Sequence, residues 1–154
     1  MVHRVLQHWD FTGDVESQLA AVTVTSLALD VLDDRDQQAL LDELRQLLRT
    51  FAGSDPYTRL RRATVIGREV PFLMPWNEGR QILEGVIDVL YHLDGQLWIA
   101  DYKTDMIPLD QAATRAQAYR EQATLYQEAV ARSLGKPVAG FEFIFLRHGV
   151  AITV

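Results

Sequence analysis

The chain has 154 residues, 48% of them hydrophobic and 23% charged, with a formal net charge of −6 and no cysteine. That length suits one domain of the usual ~100–200 residues, long enough to bury roughly two-thirds of its unfolded surface, and too short for a multidomain motor. Disorder, disulfide frameworks, cysteine zinc sites and thiol catalysis are excluded. No apolar run nears the ~18–20 residues of a membrane span, and nothing at the N-terminus reads as a signal peptide. The expectation is one domain over residues 1–154, cytoplasmic and without a membrane partner.

In chain order, residues 1 to 10 place Val2, Val5, Leu6 and Trp9 at helical spacing. The pattern starts at once, with no cap before it, which suggests a helix continuing upstream in a longer protein. Residues 15 to 30 read as a weaker helix, because Val22 to Thr25 are a β-branched run. Residues 34 to 52 read as a strong one: Leu40, Leu41, Leu44, Leu47, Leu48 and Phe51 share a face, and Gly53 supplies the stop. Asp55-Pro56 is expected to cap a short helical turn. Residues 1–62 thus form a helical part.

Residues 63–154 are a different region, of sheet and helix. From Thr64 to Trp76 the chain is β-branched and aromatic, and Pro71 and Pro75 confine it to an edge or bulged strand. Strands are expected over residues 83 to 92 and 96 to 104, around an Asp94-Gly95 hairpin turn. Residues 110 to 134 read as one long helix with Asp110 as N-cap, followed by strands over 140 to 147 and 150 to 154. The class is α/β of the mixed α+β kind.

The turn sets the hairpin register. With Leu93 facing Gln96, Leu90 faces Ile99 and Asp88 faces Asp101, with Lys103 on the same side as Asp101 and opposite Val86. Directly opposed Cβ atoms lie ~4.5–5.5 Å apart, and like charges so placed are destabilising. Something positive is needed between them. Lys103 alone would make this a structural acid–lysine cluster. A divalent cation such as Mg²⁺ or Mn²⁺, which takes hard oxygen ligands, would make it a metal site.

The string Gly85-Val86-Ile87-Asp88, then Ala100-Asp101-Tyr102-Lys103-Thr104, then Tyr119-Arg120-Glu121-Gln122 leading to Leu125-Tyr126, resembles the RecB-like branch of the PD-(D/E)XK nucleases. The look-alike is the nuclease domain at the C-terminus of AddA-type and other UvrD-like bacterial helicases. Arg68-Glu69-Val70-Pro71-Phe72 and the N-terminal Val2-His3-Arg4-Val5-Leu6 add to the match, which covers residues 2 to about 150. The resemblance implies a restriction-endonuclease-like core, with a central mixed sheet, flanking helices and a helical N-terminal part.

It also implies a Mg²⁺-dependent DNA nuclease, with Mn²⁺ able to substitute, linked to a helicase region or subunit in DNA end processing and recombinational repair. In that frame His3, Asp88, Asp101 and the Tyr102 backbone carbonyl hold the metal. Asp88, Asp101 and Lys103 are catalytic, with Lys103 serving the attacking water. Gln122, Tyr126 and Tyr119 support the site or hold the DNA backbone, and Tyr126 alone would read as a core aromatic. Glu69 is either a further acid facing the site or an exposed edge-strand residue. Glu84, His8, His92 and His148 read as surface or turn residues. No Gly-x-x-x-x-Gly-Lys-Ser/Thr loop occurs, so this chain carries no ATP-driven motor of its own.

The charge balance excludes a strongly basic nucleic-acid clamp but not DNA as a substrate. Arg59, Arg61, Arg62 and Arg68 fall within ten residues, and read either as a phosphate-contacting patch or as a solvated helix end. The competing functional class is a catalytically inactive DNA-binding or partner-docking module of a helicase complex. Decay of that kind removes an aspartate or the lysine, and all three are present.

Overall fold

The computed structural model describes residues 1–23, 27, 33–76 and 78–154. The helical part comprises α1 (Val2–Leu6), α2 (Val15–Ala21), α3 (Asp34–Ala52) and α4 (Asp55–Arg62). Strands β1 (Thr64–Trp76), β2 (Gln81–Leu93) and β3 (Gln96–Lys103) follow, then a 3₁₀ turn (Leu109–Gln111), α5 (Ala112–Ala118), α6 (Arg120–Leu134), β4 (Gly140–Phe145) and β5 (Val150–Thr153). The strands make one five-stranded sheet in the order β1-β2-β3-β4-β5, with β3 and β4 parallel and every other pair antiparallel. This is the expected mixed sheet with flanking helices.

Each face of the sheet is covered. Leu41, Leu44, Leu48 and Phe51 of α3 pack with Leu6, Trp9, Tyr57 and Leu60 against Val89, Tyr91, Ala100 and Tyr102. Ala112, Ala116, Ala123 and Val130 of α5 and α6 cover Leu90, Leu97, Ile99, Phe141 and Phe143 on the other side. Among the described residues no helix is long and apolar enough to cross a membrane.

Local chemistry sets most boundaries. Asp14, Asp33 and Ser54 each accept a backbone N–H three residues on, satisfying a donor that the helix start leaves unpaired. The cap of α4 is therefore Ser54, with Asp55 and Pro56 inside its first turn, and the helix runs on to Arg62. The N-terminal helix stops at Leu6, short of the expected ten residues, and Asp10 then turns the chain by accepting from Thr12. Trp9 still reaches the core, donating from Nε1 to Tyr57 Oη at 3.0 Å. The helix expected over 15 to 30 ends at Ala21, with Val22 extended as its β-branched run favours. Residues 24–26 and 28–30 of that stretch lie outside the described residues.

The long helix expected over 110 to 134 is broken at Tyr119, and Asp110 sits in the 3₁₀ turn instead of capping. Tertiary packing overrides the helical pattern there: Tyr119 lies against Phe143 of β4, ring centres 5.4 Å apart, and its hydroxyl donates to Asp105. The hairpin turn follows its chemistry, with Asp94 and Gly95 at φ 51° and 78°, the pair of positive angles a type I′ turn needs.

Candidate active site

The hairpin register is as expected for five pairs, from Leu93–Gln96 to Val89–Ala100, with Leu90 opposite Ile99. The ladder then ends. Asp88 and Asp101 are not a directly opposed pair, and neither are Val86 and Lys103, because β3 leaves β2 here and continues along β4, pairing up to Lys103–Phe145. Asp88 takes over the missing ladder bond: its Oδ2 accepts from the Tyr102 backbone N–H at 2.6 Å. The irregularity extends to β1. Arg68 pairs with Val89 and Val70 with Ile87, but the paired positions skip Glu69 and Asp88, and Glu69 has a φ of 48°. Three carboxylates thus share one level of three neighbouring strands, where the backbone pairing opens.

Each is held differently. Asp88, 8% exposed, faces His3 of α1, with Nε2 3.1 Å from Oδ2. Val2 and Leu6, both buried, anchor that short helix and so place His3. Asp101, 5% exposed, lies 2.8 Å from Lys103 Nζ through Oδ2 and accepts from Gln122 Nε2 through Oδ1 at 3.0 Å. Lys103 in turn donates to Gln122 Oε1 at 3.3 Å, so one amide of α6 clasps both the acid and the base. The ammonium also sits over the Tyr119 ring, 4.1 Å from its centre.

The charges are undercompensated. Burial, and next the charge of Asp88, hold the Asp101 carboxyl above the usual range despite Lys103. Glu69 is raised for the same reasons, burial first and Asp88 second, with His3 opposing. The hydrogen bond to Asp88 raises the His3 imidazole, against the effect of its own burial. Asp88 contributes to both shifts, raising Asp101 through its charge and His3 through its hydrogen bond.

Among the described residues no three His, Asp or Glu side chains stand close enough to form a ready-made coordination shell. His3 is turned to Asp88, and Asp101 to Lys103 and Gln122. The donor set nonetheless fits a divalent cation of the Mg²⁺ or Mn²⁺ class: two nearly buried carboxylates and an imidazole, with negative charge that the lysine does not neutralise.

Tyr126 is held by aromatic packing. It packs edge-on against Phe72, 4.9 Å between ring centres, and near Phe141 at 6.2 Å. Its hydroxyl also closes over Gly85: a Cβ there would fall 2.6 Å from the Phe72 ring and 3.0 Å from Tyr126 Oη, which is why β2 has glycine at that position. Glu84 and His8 are exposed and His92 is half-buried beside the turn, while His148 Nε2 bonds the Ile107 carbonyl at 2.7 Å.

The arginine cluster divides. Arg59 pairs with the fully buried Glu142 of β4, which also accepts from Tyr91 Oη at 2.8 Å. Arg68 donates to the Trp9 carbonyl and covers Phe11. Only Arg61 and Arg62 are left as exposed residues of the four. Two residues beside the site escaped sequence reasoning, Asp105 and Arg115. The period-two spacing of Asp101, Lys103 and Asp105 is a signal for the first; nothing in the sequence marks the second.

The model of the PD-(D/E)XK nuclease superfamily matches residues 1–151. The chain is 33% identical over 156 residues to an ATP-dependent helicase/nuclease subunit from Heliobacterium modesticaldum, covering 90% of this chain and 11% of that protein. It is 31% identical over 173 residues to the protein of the same name from Bacillus velezensis, covering 99% of this chain and 14% of the relative. The chain thus spans about one-eighth of the length of these curated relatives. Motif order, sheet topology and the family match agree, and the chain belongs to the PD-(D/E)XK nuclease superfamily.

Proposed function

We propose that this chain is a Mg²⁺-dependent nuclease domain that hydrolyses DNA phosphodiester bonds beside a helicase region or subunit, in DNA end processing and recombinational repair. The observation that carries this reading is Asp101 with Lys103 Nζ 2.8 Å away, next to Asp88 at the point where β2 and β3 part. His3, Asp88, Asp101 and the Tyr102 carbonyl would hold the cation, with Mn²⁺ as a substitute. A divalent cation in such a site lowers the pKa of a water and offsets charge on phosphoryl oxygens.

The chain's own groups do the rest. Lys103 brings an ammonium to where negative charge grows on the scissile phosphate, and orients the attacking water. Gln122 fixes Lys103 and Asp101 relative to each other, which limits the reorganisation needed as that charge develops. Tyr119 confines Lys103 from the ring side. Tyr126 and Phe72 pack together over Gly85 of β2, three residues before Asp88, and Glu69 adds a carboxylate at the same level.

The test is hydrolysis of single- and double-stranded DNA with and without Mg²⁺. Cleavage should require the metal, and Asp88→Ala, Asp101→Ala and Lys103→Ala should each abolish it in a folded protein. No cleavage by the unaltered chain in either Mg²⁺ or Mn²⁺ would overturn the reading. Near-normal cleavage by one variant would remove that residue from the machinery.

A further inference from the structure

We propose that Arg115 is a phosphate-binding residue that seats the DNA strand beside Lys103, with Tyr119 and Asp105 as its mount; this rests on the nuclease reading above. Arg115 projects from α5, its guanidinium carbon 4.7 Å from the centre of the Tyr119 ring and its Nη2 3.3 Å from Asp105 Oδ1. The Tyr119 hydroxyl donates to the same carboxylate at 3.3 Å. Asp105 therefore ties ring and guanidinium together.

Lys103 Nζ stands 4.1 Å from that ring centre, so the two cations are no more than about 9 Å apart, roughly two to three nucleotides of axial rise at ~3.4 Å each along one helical strand. A strand whose scissile phosphate meets Lys103 thus has a neighbouring phosphate within reach of Arg115.

The remaining features suit an anion. The Arg115 side chain is 45% exposed, and only Nη2 of its guanidinium has a hydrogen-bond partner among the described residues. A guanidinium carries five donors in a planar fork that matches a phosphate. An exposed pair with one long contact adds little to stability, so the arrangement of acid, ring and guanidinium is better explained by what it orients. In a chain of net charge −6, phosphate affinity has to come from such local placements.

The test compares the unaltered chain with Arg115→Gln, Arg115→Ala and Arg115→Lys, using a labelled single-stranded oligonucleotide. Binding is followed by anisotropy in EDTA over a salt series, and cleavage in Mg²⁺. Arg115→Ala and Arg115→Gln should weaken binding about tenfold and reduce the slope of log affinity against log salt by ~0.7, the value of one single-strand phosphate contact. KM should rise with little change in kcat, and Arg115→Lys should keep the slope.

Cleavage by the unaltered chain with affinity and slope unchanged in the variants would overturn the Arg115 proposal alone. So would weaker binding with an unchanged slope, which marks a structural role. Absence of cleavage with a clear loss of affinity and slope in the variants would overturn the nuclease reading and leave Arg115 as a phosphate contact.

Discussion

Glu142 is the one carboxylate with no exposure at all among the described residues, and its companions are Arg59 and Tyr91. Removing the cation leaves a buried carboxyl without its charged partner between β4 and α4. Breaking a buried pair from one side costs about 3–5 kcal/mol. Arg59 is itself 39% exposed, so part of its charge is already solvated and the low end applies, about 3 kcal/mol for Arg59→Ala. In a chain of this size 1 kcal/mol moves Tm by about 2–4 °C, so the melting temperature should fall by about 6–12 °C.

Replacing both partners behaves differently. Arg59→Leu with Glu142→Leu removes the desolvated charges together and should lie within about 1 kcal/mol of the unaltered chain. Thermal and urea unfolding at pH 7 reads both. The reasoning is refuted if Arg59→Ala unfolds within 2 °C of the unaltered chain, or if the double variant is as unstable as the single one.

Gly85→Ala should push against Phe72 and Tyr126 and cost about 1–3 kcal/mol by overpacking; combining it with Phe72→Leu should recover part of that loss in urea unfolding, and strict additivity would argue against the contact. Gln122→Ala removes the clasp on Asp101 and Lys103, so kcat should fall more than tenfold with KM for DNA nearly unchanged, while Tyr126→Phe, which keeps the ring packing, should change kcat less than threefold.

The pH dependence follows from groups whose folded pKa is raised. Protonated His3, Asp101 and Glu69 contribute stability that is fully present below their ordinary values and is lost as pH rises through the raised ones. Asp10, Asp14 and Glu16 are lowered, chiefly by side-chain hydrogen bonds, and act oppositely: their contribution is present above the ordinary carboxylate range and is lost as pH falls through the lowered values. The metal-free chain should therefore melt highest at mildly acidic pH, and His3→Gln should flatten the decline above the ordinary histidine range; a Tm that climbs steadily to pH 8 would contradict this.

Much of the sheet was legible because its signals are local. Asp94-Gly95 dictates the turn, the turn dictates the register of five pairs, and Pro71 and Pro75 mark β1 as an edge. Helix α3 shows its stripe and its stop in the same way. What stayed hidden was decided by partners distant in sequence. The period-two pattern runs unbroken through Asp88 and Asp101, yet the strands part there, where the Asp88 carboxylate rather than a strand partner bonds the Tyr102 backbone.

The break at Tyr119 depends on Phe143 and Asp105, and the arginine cluster dissolves because Glu142 and the Trp9 carbonyl claim two of its members. Glu142 had a signal of its own, a lone charge in the apolar run Gly140 to Phe145. The motifs thus located the acids and the lysine, but not the clasp that Gln122 makes between them.

The central claim is that Asp88, Asp101 and His3 form one divalent-cation site. Calorimetric titration of the metal-free chain with Mn²⁺ at pH 7.5 tests it without DNA or turnover. The account predicts saturable binding that Asp88→Ala and Asp101→Ala abolish, that His3→Ala weakens, and that Arg115→Ala leaves intact. No saturable heat for the unaltered chain, or equal binding by Asp88→Ala and Asp101→Ala, would contradict it.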